Sequence, residues 1–326
     1  MPTKMYLHAV VDAIKEELRR DPRTFLMGED IQSELYYGSG GTFLVDFGPE
    51  RIRNTPMSEA AIVGAGIGAA MTGTRPIIDL AIASFLYVAF DQLISQAAKT
   101  RYMFGSQATI PLTIRTAMYY GGGMAAQHSD RPYPLFMHVP GLKVVAPSNA
   151  FDAKGLLKSA IRDDNIVLVF EDVTLHGTRA EVPDEEYLVP LGRAAVARTG
   201  SDVTVVAIAG SVAQALKAAD SLADEGISVE VIDPRTLVPL DTDAILRSVI
   251  KTGRVVIAEP AHRVCGAASE IAAVVAEEAF DSLKARIVRI TAPQVHIPFS
   301  SALERDLYPT AAKIGDAARA LCGAQA

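Results

Sequence analysis

Strands that alternate with helices along the chain predict an α/β protein built on a doubly wound parallel sheet. Two further observations shape that expectation. The alternation breaks once, in a charged stretch holding Pro183 and Pro190, and then resumes. At 326 residues the chain can also bury two cores. The expected division is a first domain over residues 1–172, a linker over 173–198 and a second α/β domain over 199–326.

The elements follow from local pattern. Leu7, Val10, Val11, Ile14 and Leu18 recur at helical spacing among Lys15, Glu16, Glu17 and Arg19, which is an amphipathic helix rather than a signal peptide. Asp21-Pro22 ends it. Residues 24–27 read as a buried strand, and the glycine-rich segment 36–47 as a loop. A central helix follows Asn54, then a strand near 76–80 and a helix through Phe90, Leu93, Ile94 and Ala97. Residues 110–114, 142–145 and 166–170 read as strands, and 149–162 as a helix. Residues 119–138 form a long loop with three consecutive glycines, Gly121 to Gly123; long loops in compact domains tend to be functional. In the second domain, strands are expected at 203–208, 227–232, 255–258 and 287–290, with helices at 212–223, 244–250 and 267–280.

Composition narrows the function. Hydrophobic residues make up 49% and charged ones 21%, ordinary for a globular chain. A net charge of −7 with no basic cluster argues against nucleic acid. Cys265 and Cys322 are far apart and offer no metal-ligand spacing, which suits a reducing compartment. The apolar run 76–90 contains Asp79 and is too short to span a bilayer, so the expected location is the cytoplasm.

The stretch Asn54-Thr-Pro-Met-Ser-Glu-Ala-Ala-Ile-Val-Gly-Ala-Gly-Ile-Gly-Ala-Ala70 organises the first domain. Thr55-Pro56 reads as a helix start, with Glu59 in the opening turn. The helix behind it is small and apolar all round, which predicts burial, with Gly64, Gly66 and Gly68 allowing close approach. A lone carboxylate at the mouth of a buried helix is a candidate site. The competing reading is a glutamate that simply complements the helix dipole. A dinucleotide fingerprint is excluded, because the glycines lie inside the helix instead of before it. His128, in the glycine-bearing loop, is a candidate proton carrier. The turn Ala160-Ile-Arg-Asp-Asp-Asn165 gathers oxygens of the kind hard cations prefer, or is an ordinary polar turn.

Taken together, Thr55-Pro-Met-Ser-Glu-Ala60, Phe90-Asp-Gln, Gly121-Gly-Gly…His128-Ser129, His138-Val-Pro-Gly-Leu-Lys-Val-Val145, Arg162-Asp-Asp-Asn165 and Val231-Ile-Asp-Pro-Arg-Thr-Leu237 resemble one family. It is the β subunit of thiamine-diphosphate-dependent 2-oxoacid dehydrogenases, of pyruvate, branched-chain and acetoin types. The resemblance implies a pyrimidine-binding domain followed by a transketolase C-terminal-like domain. It implies an α subunit in an α2β2 heterotetramer, a lipoyl acyltransferase core and a small 2-oxoacid substrate. Oxidative decarboxylation would end with acyl transfer to a lipoyl group. A free-standing carboligase and a non-catalytic assembly subunit are the alternatives.

By the same resemblance Glu59 hydrogen-bonds the cofactor's aminopyrimidine ring, Met57 and Phe85 line its pocket, and His128 reaches the reacting centre. Leu112, Ala160, Ile161, Asp163 and Asn165 match a structural potassium site. Magnesium, which usually needs a Gly-Asp-Gly segment, would be held by the α chain, since this sequence contains none. Two segments depart from the family pattern. Asp130-Arg-Pro-Tyr-Pro134 follows His128-Ser129, and its Arg131 and Tyr133 are expected to influence substrate choice or partner contact. Arg263-Val-Cys-Gly266 stands where the family has Arg-Thr-Gly-Gly.

Overall fold

The computed structural model describes residues 2–33 and 42–323. These form two compact units: residues 1–119 with 135–191, and residues 120–134 with 192–326. The loop that carries His128 therefore groups with the second unit.

The first unit begins with strand β1 (Thr3–Met5) and helix α1 (Tyr6–Arg20), whose Val10, Ile14 and Leu18 face the core. Then come β2 (Thr24–Gly28), α2 (Thr42–Phe47), β3 (Ile52–Asn54), α3 (Glu59–Met71) and β4 (Arg75–Ile82). A 3₁₀ turn (Ala83–Tyr87) and a π-helical stretch (Gln92–Ala97) lead into α4 (Ala98–Met103) and β5 (Thr113–Met118). Short α5 (Ala125–His128), which belongs to the second unit, and α6 (Tyr133–Met137) punctuate the expected long loop. The unit closes with β6 (Lys143–Val145), α7 (Ala150–Arg162), β7 (Val167–Asp172) and β8 (Arg179–Glu181).

Its sheet runs β6-β7-β5-β4-β2-β3, every pairing parallel, as the alternation required. Its inner strands β2, β5 and β7 are buried along their whole length, whereas the edge strand β3 exposes Arg53 and Asn54. β2 can lie against β4 only because residue 28 is glycine; a Cβ there would sit 2.6 Å from the Asp79 carbonyl oxygen. β8 pairs antiparallel with β1, so part of the expected linker completes the first unit.

The second unit holds β9 (Ala195–Arg198), β10 (Val203–Ala207), α8 (Ser211–Ala223), β11 (Val229–Asp233), β12 (Thr236–Val238), α9 (Thr242–Thr252) and β13 (Val255–His262). α10 (Ala267–Glu278), β14 (Val288–Ala292), α11 (Ser301–Glu304) and α12 (Ala311–Gly323) complete it. Its sheet is β14-β13-β10-β11-β9, parallel except for β9, which pairs antiparallel at the edge. α8 and α12 pack on it through Val212, Ala215, Ala219, Leu222, Ile314, Ala318 and Leu321. Sequence reading did not anticipate α12.

Several expectations need correcting. Of the expected loop 36–47, residues 36–41 lie outside the described residues, and 42–47 are helical. Phe43 anchors that turn in the core, and Gly48, at φ +73°, ends it by donating its N–H to Leu44. The strand expected at 110–114 begins at Thr113 instead. The central helix starts at Glu59, not at Thr55-Pro56. The Thr55 N–H is still tied to the Gly28 carbonyl at the end of β2, so the chain cannot yet turn helical.

Candidate functional site

Parallel strands put all their C-terminal ends on one edge, where open α/β sheets commonly bind ligands. Met57 and Glu59 follow β3, and Phe85 follows β4, so the first unit brings these three to that edge. Met57 is 75% exposed. Glu59 opens α3, where its carboxylate complements the unsatisfied amides and the dipole. It is half-buried, not buried as expected.

The same correction applies to α3 as a whole. Ile62, Val63, Gly66, Ile67 and Ala70 pack inward, whereas Ala61, Ala65, Gly68 and Met71 are exposed. A helix without a polar face thus shows half of its surface in this chain. Its glycines also divide by role. A Cβ on Gly66 would press to 3.0 Å from Ile78, so this glycine serves the helix–sheet contact. Around Gly68 there is open space, and Gly64 has only the Gln92 side chain nearby, at 3.9 Å. Buried oxygens without a hydrogen-bond partner occur in the segments around this helix: Thr55 Oγ1 before α3, Ser84 Oγ next to Phe85 in the chain, and Gln92 Oε1, whose side chain reaches Gly64 through Cγ.

Beneath this edge Arg115, on β5, holds Asp79 of β4 and Glu171 of β7 in the buried interior. Burial alone would raise the Glu171 carboxyl, but the Arg115 guanidinium and His176 hold it at about 2. Nothing in the sequence marked this network, because its members lie on three separate strands.

Leu112, Ala160, Ile161, Asp163 and Asn165 do come together, but at the opposite, N-terminal edge of the sheet. Their oxygens already have protein donors. Leu112 accepts from Val167 N–H and Ala160 from Asp163 N–H, while the Ile161 and Asp163 carbonyls both take the Arg75 guanidinium. Lys143 ion-pairs with the Asp163 carboxylate, and Arg101 donates to the Asn165 side chain. Despite burial, the Lys143 and Asn165 contacts hold the Asp163 carboxyl below its usual range. So arranged, the Arg75 guanidinium and the Lys143 ammonium bring positive charge to this oxygen-rich turn. No group of three or more His, Cys, Asp and Glu residues placed to hold a metal occurs among the described residues.

His128 ends α5 in the second unit and is half-buried. Three residues on, Arg131 turns inward. Its Nε donates to the Pro260 carbonyl at 3.0 Å, and its guanidinium lies 5.0 Å and 5.6 Å from the ring centres of Tyr308 and Tyr120. The Tyr133 hydroxyl donates to Glu259 at 2.8 Å. Both residues are thus packing members of the second unit, and selection of substrate by their direct contact has no support in the geometry. Burial raises the Glu259 carboxyl even though Tyr133 and the amides of Ala267 and Ala268 donate to it. At the start of the same loop the amides of Gly121 and Gly123 donate to Glu304, another residue the sequence reading missed.

Comparison with known proteins agrees with this architecture. The family described as "Transketolase, pyrimidine binding domain" matches residues 3–177, and "Transketolase, C-terminal domain" matches residues 192–314. The acetoin:2,6-dichlorophenolindophenol oxidoreductase subunit beta of Bacillus subtilis (strain 168) is 46% identical, over 94% of this chain and 93% of its own. The pyruvate dehydrogenase E1 component subunit beta of Rhizobium meliloti (strain 1021) is 41% identical over 99% of this chain and 70% of its own. The 2-oxoisovalerate dehydrogenase subunit beta of B. subtilis (strain 168) is 39% identical over 98% and 99%. A solved split-gene transketolase, an inactive beta4 tetramer, shares the fold with a TM-score of 0.79 at 23% identity, covering 98% of both chains. The chain therefore belongs to the transketolase-like family of E1 β subunits that includes the acetoin, pyruvate and 2-oxoisovalerate dehydrogenase β chains.

Proposed function

We propose that this chain is the β subunit of a thiamine-diphosphate-dependent 2-oxoacid or acetoin dehydrogenase, working with an α subunit in an α2β2 assembly. The observation that carries this reading is the exposed face of α3. A glutamate at the mouth of a small, apolar helix, with orphaned oxygens on Thr55, Ser84 and Gln92 in the neighbouring segments, supports a cradle for a pyrimidine ring. The residues present fit that half of the cofactor. Glu59 would hold a proton at the aminopyrimidine ring nitrogen, and Met57 and Phe85 would flank the ring.

When bound, thiamine diphosphate supplies the electron sink for breaking the bond beside the 2-oxo group. His128 would move a proton at the reacting centre or guide the incoming lipoyl group of an acyltransferase core. The diphosphate and its magnesium fall to the α chain, because magnesium wants an octahedral oxygen set and this sequence lacks Gly-Asp-Gly. A split site would also account for leaving an apolar helix face uncovered. No helix among the described residues is long and apolar enough to cross a membrane, and the cytoplasm is the proposed location.

Calorimetry tests the split site. This chain, titrated with magnesium and thiamine diphosphate, should show no specific binding until an α chain is added. Tight magnesium-dependent binding by this chain alone would overturn the reading. With both chains present, turnover of pyruvate, 2-oxoisovalerate and acetoin, with and without lipoamide, identifies the acyl donor and separates dehydrogenase from carboligase.

A further inference from the structure

We propose that Glu304 is the positioning residue of the His128 loop, a role that rests on His128 acting in catalysis. Gly121 and Gly123 adopt φ values of +76° and +71°, and Ala125 adopts +61°. Successive amides in such a turn point into one concavity, which favours an anion. Here the anion comes from within the protein. The two Glu304 carboxylate oxygens accept separately from Gly121 N–H at 2.6 Å and Gly123 N–H at 2.8 Å.

Glu304 is fully buried, and the Tyr308 hydroxyl donates to its Oε1 at 2.8 Å. A buried carboxylate is tolerated only with such partners, so the loop and Glu304 stabilise each other's placement. The far end of the same loop is fastened independently, by Arg131 on the Pro260 carbonyl and Tyr133 on Glu259. His128 lies between the two fastenings, and only four residues separate it from Gly123. Glu304 thereby keeps the His128 imidazole in place without contributing an atom to the chemistry. Because Gly123 also lies where a Cβ would come within 3.0 Å of the Phe299 carbonyl oxygen, the loop has little room for an alternative path.

The test uses the enzyme assembled with its α chain. Glu304→Gln preserves size but turns one amide-accepting oxygen into a donor, so only one glycine N–H can be received. Hydrogen exchange across residues 121–128 should speed by at least about tenfold, with β10 and β13 unaffected. The kcat for acyl transfer should fall about 10–100-fold, the range for a displaced catalytic group. KM for the 2-oxoacid and cofactor affinity should move by less than about threefold. In a His128→Ala background Glu304→Gln should lower kcat no further.

Tyr308→Phe keeps the ring against Arg131 and removes one donor to Glu304; it should produce the same changes in weaker form, even if Glu304→Gln fails to fold. The proposal is overturned by unchanged exchange at 121–128 in either folded variant. Loosening without loss of kcat, or an undiminished kcat loss in the His128→Ala background, overturns it equally. His128→Ala alone tests the underlying reading. Full turnover there refutes the role of His128, while the exchange measurement still decides whether Glu304 fastens the loop.

Discussion

Arg115 donates through Nε and Nη2 to the two carboxylate oxygens of Glu171, at 2.6 and 2.7 Å, inside the first unit. Asp79 shares the same guanidinium, and Ala81 N–H donates back to Asp79, so the network ties β4, β5 and β7 together just below the candidate edge. Such a pair is weak grounds for net stability, but breaking it strands a buried charge.

Acid unfolding should report it. The folded Glu171 carboxyl, at about 2, lies below its ordinary 4.5. A depressed carboxyl contributes stability that is complete above the unfolded value and is lost as pH falls towards the folded one. Wild-type denaturation midpoints should therefore drop between pH 5 and 2 with a slope that Glu171→Gln reduces. At pH 7 the substitution should destabilise by about 3–5 kcal/mol, because Arg115 loses half its compensation. Parallel pH curves for both proteins would refute this.

Glu59→Gln should leave the melting temperature nearly unchanged, since the residue is half-exposed at a helix end. Turnover of the assembled enzyme should fall by on the order of 10²–10⁴, the range for a lost acid–base partner. Near-normal turnover would return Glu59 to the role of helix-dipole complement.

His128→Ala is expected to slow acyl transfer to lipoamide while cofactor affinity stays put, because a group that acts in the transition state affects rate more than binding. Single-turnover kinetics with the cofactor preloaded distinguish the two, and identical rates would make His128 structural.

The glycines of α3 should respond oppositely. Gly66→Ala meets Ile78 at 3.0 Å and should destabilise by about 1–3 kcal/mol. Gly68→Ala meets nothing within 4 Å and should stabilise by about 0.5–1 kcal/mol through helix propensity. Thermal or denaturant unfolding of the isolated chain reads both. If Gly68 faces the cofactor, the stabilised variant should also lose activity.

At the other edge of the sheet, Arg75→Met should destabilise by about 1–3 kcal/mol, since the Ile161 and Asp163 carbonyls lose their donor. If added potassium restores the variant's melting temperature while sodium does not, the ion can substitute for the guanidinium. An unaltered melting temperature in potassium-free buffer would show that Arg75 contributes nothing.

Local pattern in the sequence carried the architecture, because an apolar run or a helical period records burial one residue at a time. That is why the parallel strands of both sheets, α1, α3, α7 and the family motifs around Glu59 and His128 could be read directly, whereas the antiparallel edge strand β9 could not. The start of α3 could not, since a tie from Thr55 to Gly28 on another strand delays it. Nor could the exposure of its outer face, because a helix of alanine and glycine reads the same whether covered or bare.

Tertiary structure alone decided which charges meet. Arg75, 86 residues from Ile161, supplies the positive charge at the oxygen-rich turn. Glu304, more than 180 residues from Gly121, fills the amide pocket of the glycine loop. Each is one charged residue among 69 in the chain, and no periodicity marks it. A hydrogen bond needs only a few ångströms of space and leaves no spacing in sequence, so these assignments waited on the fold.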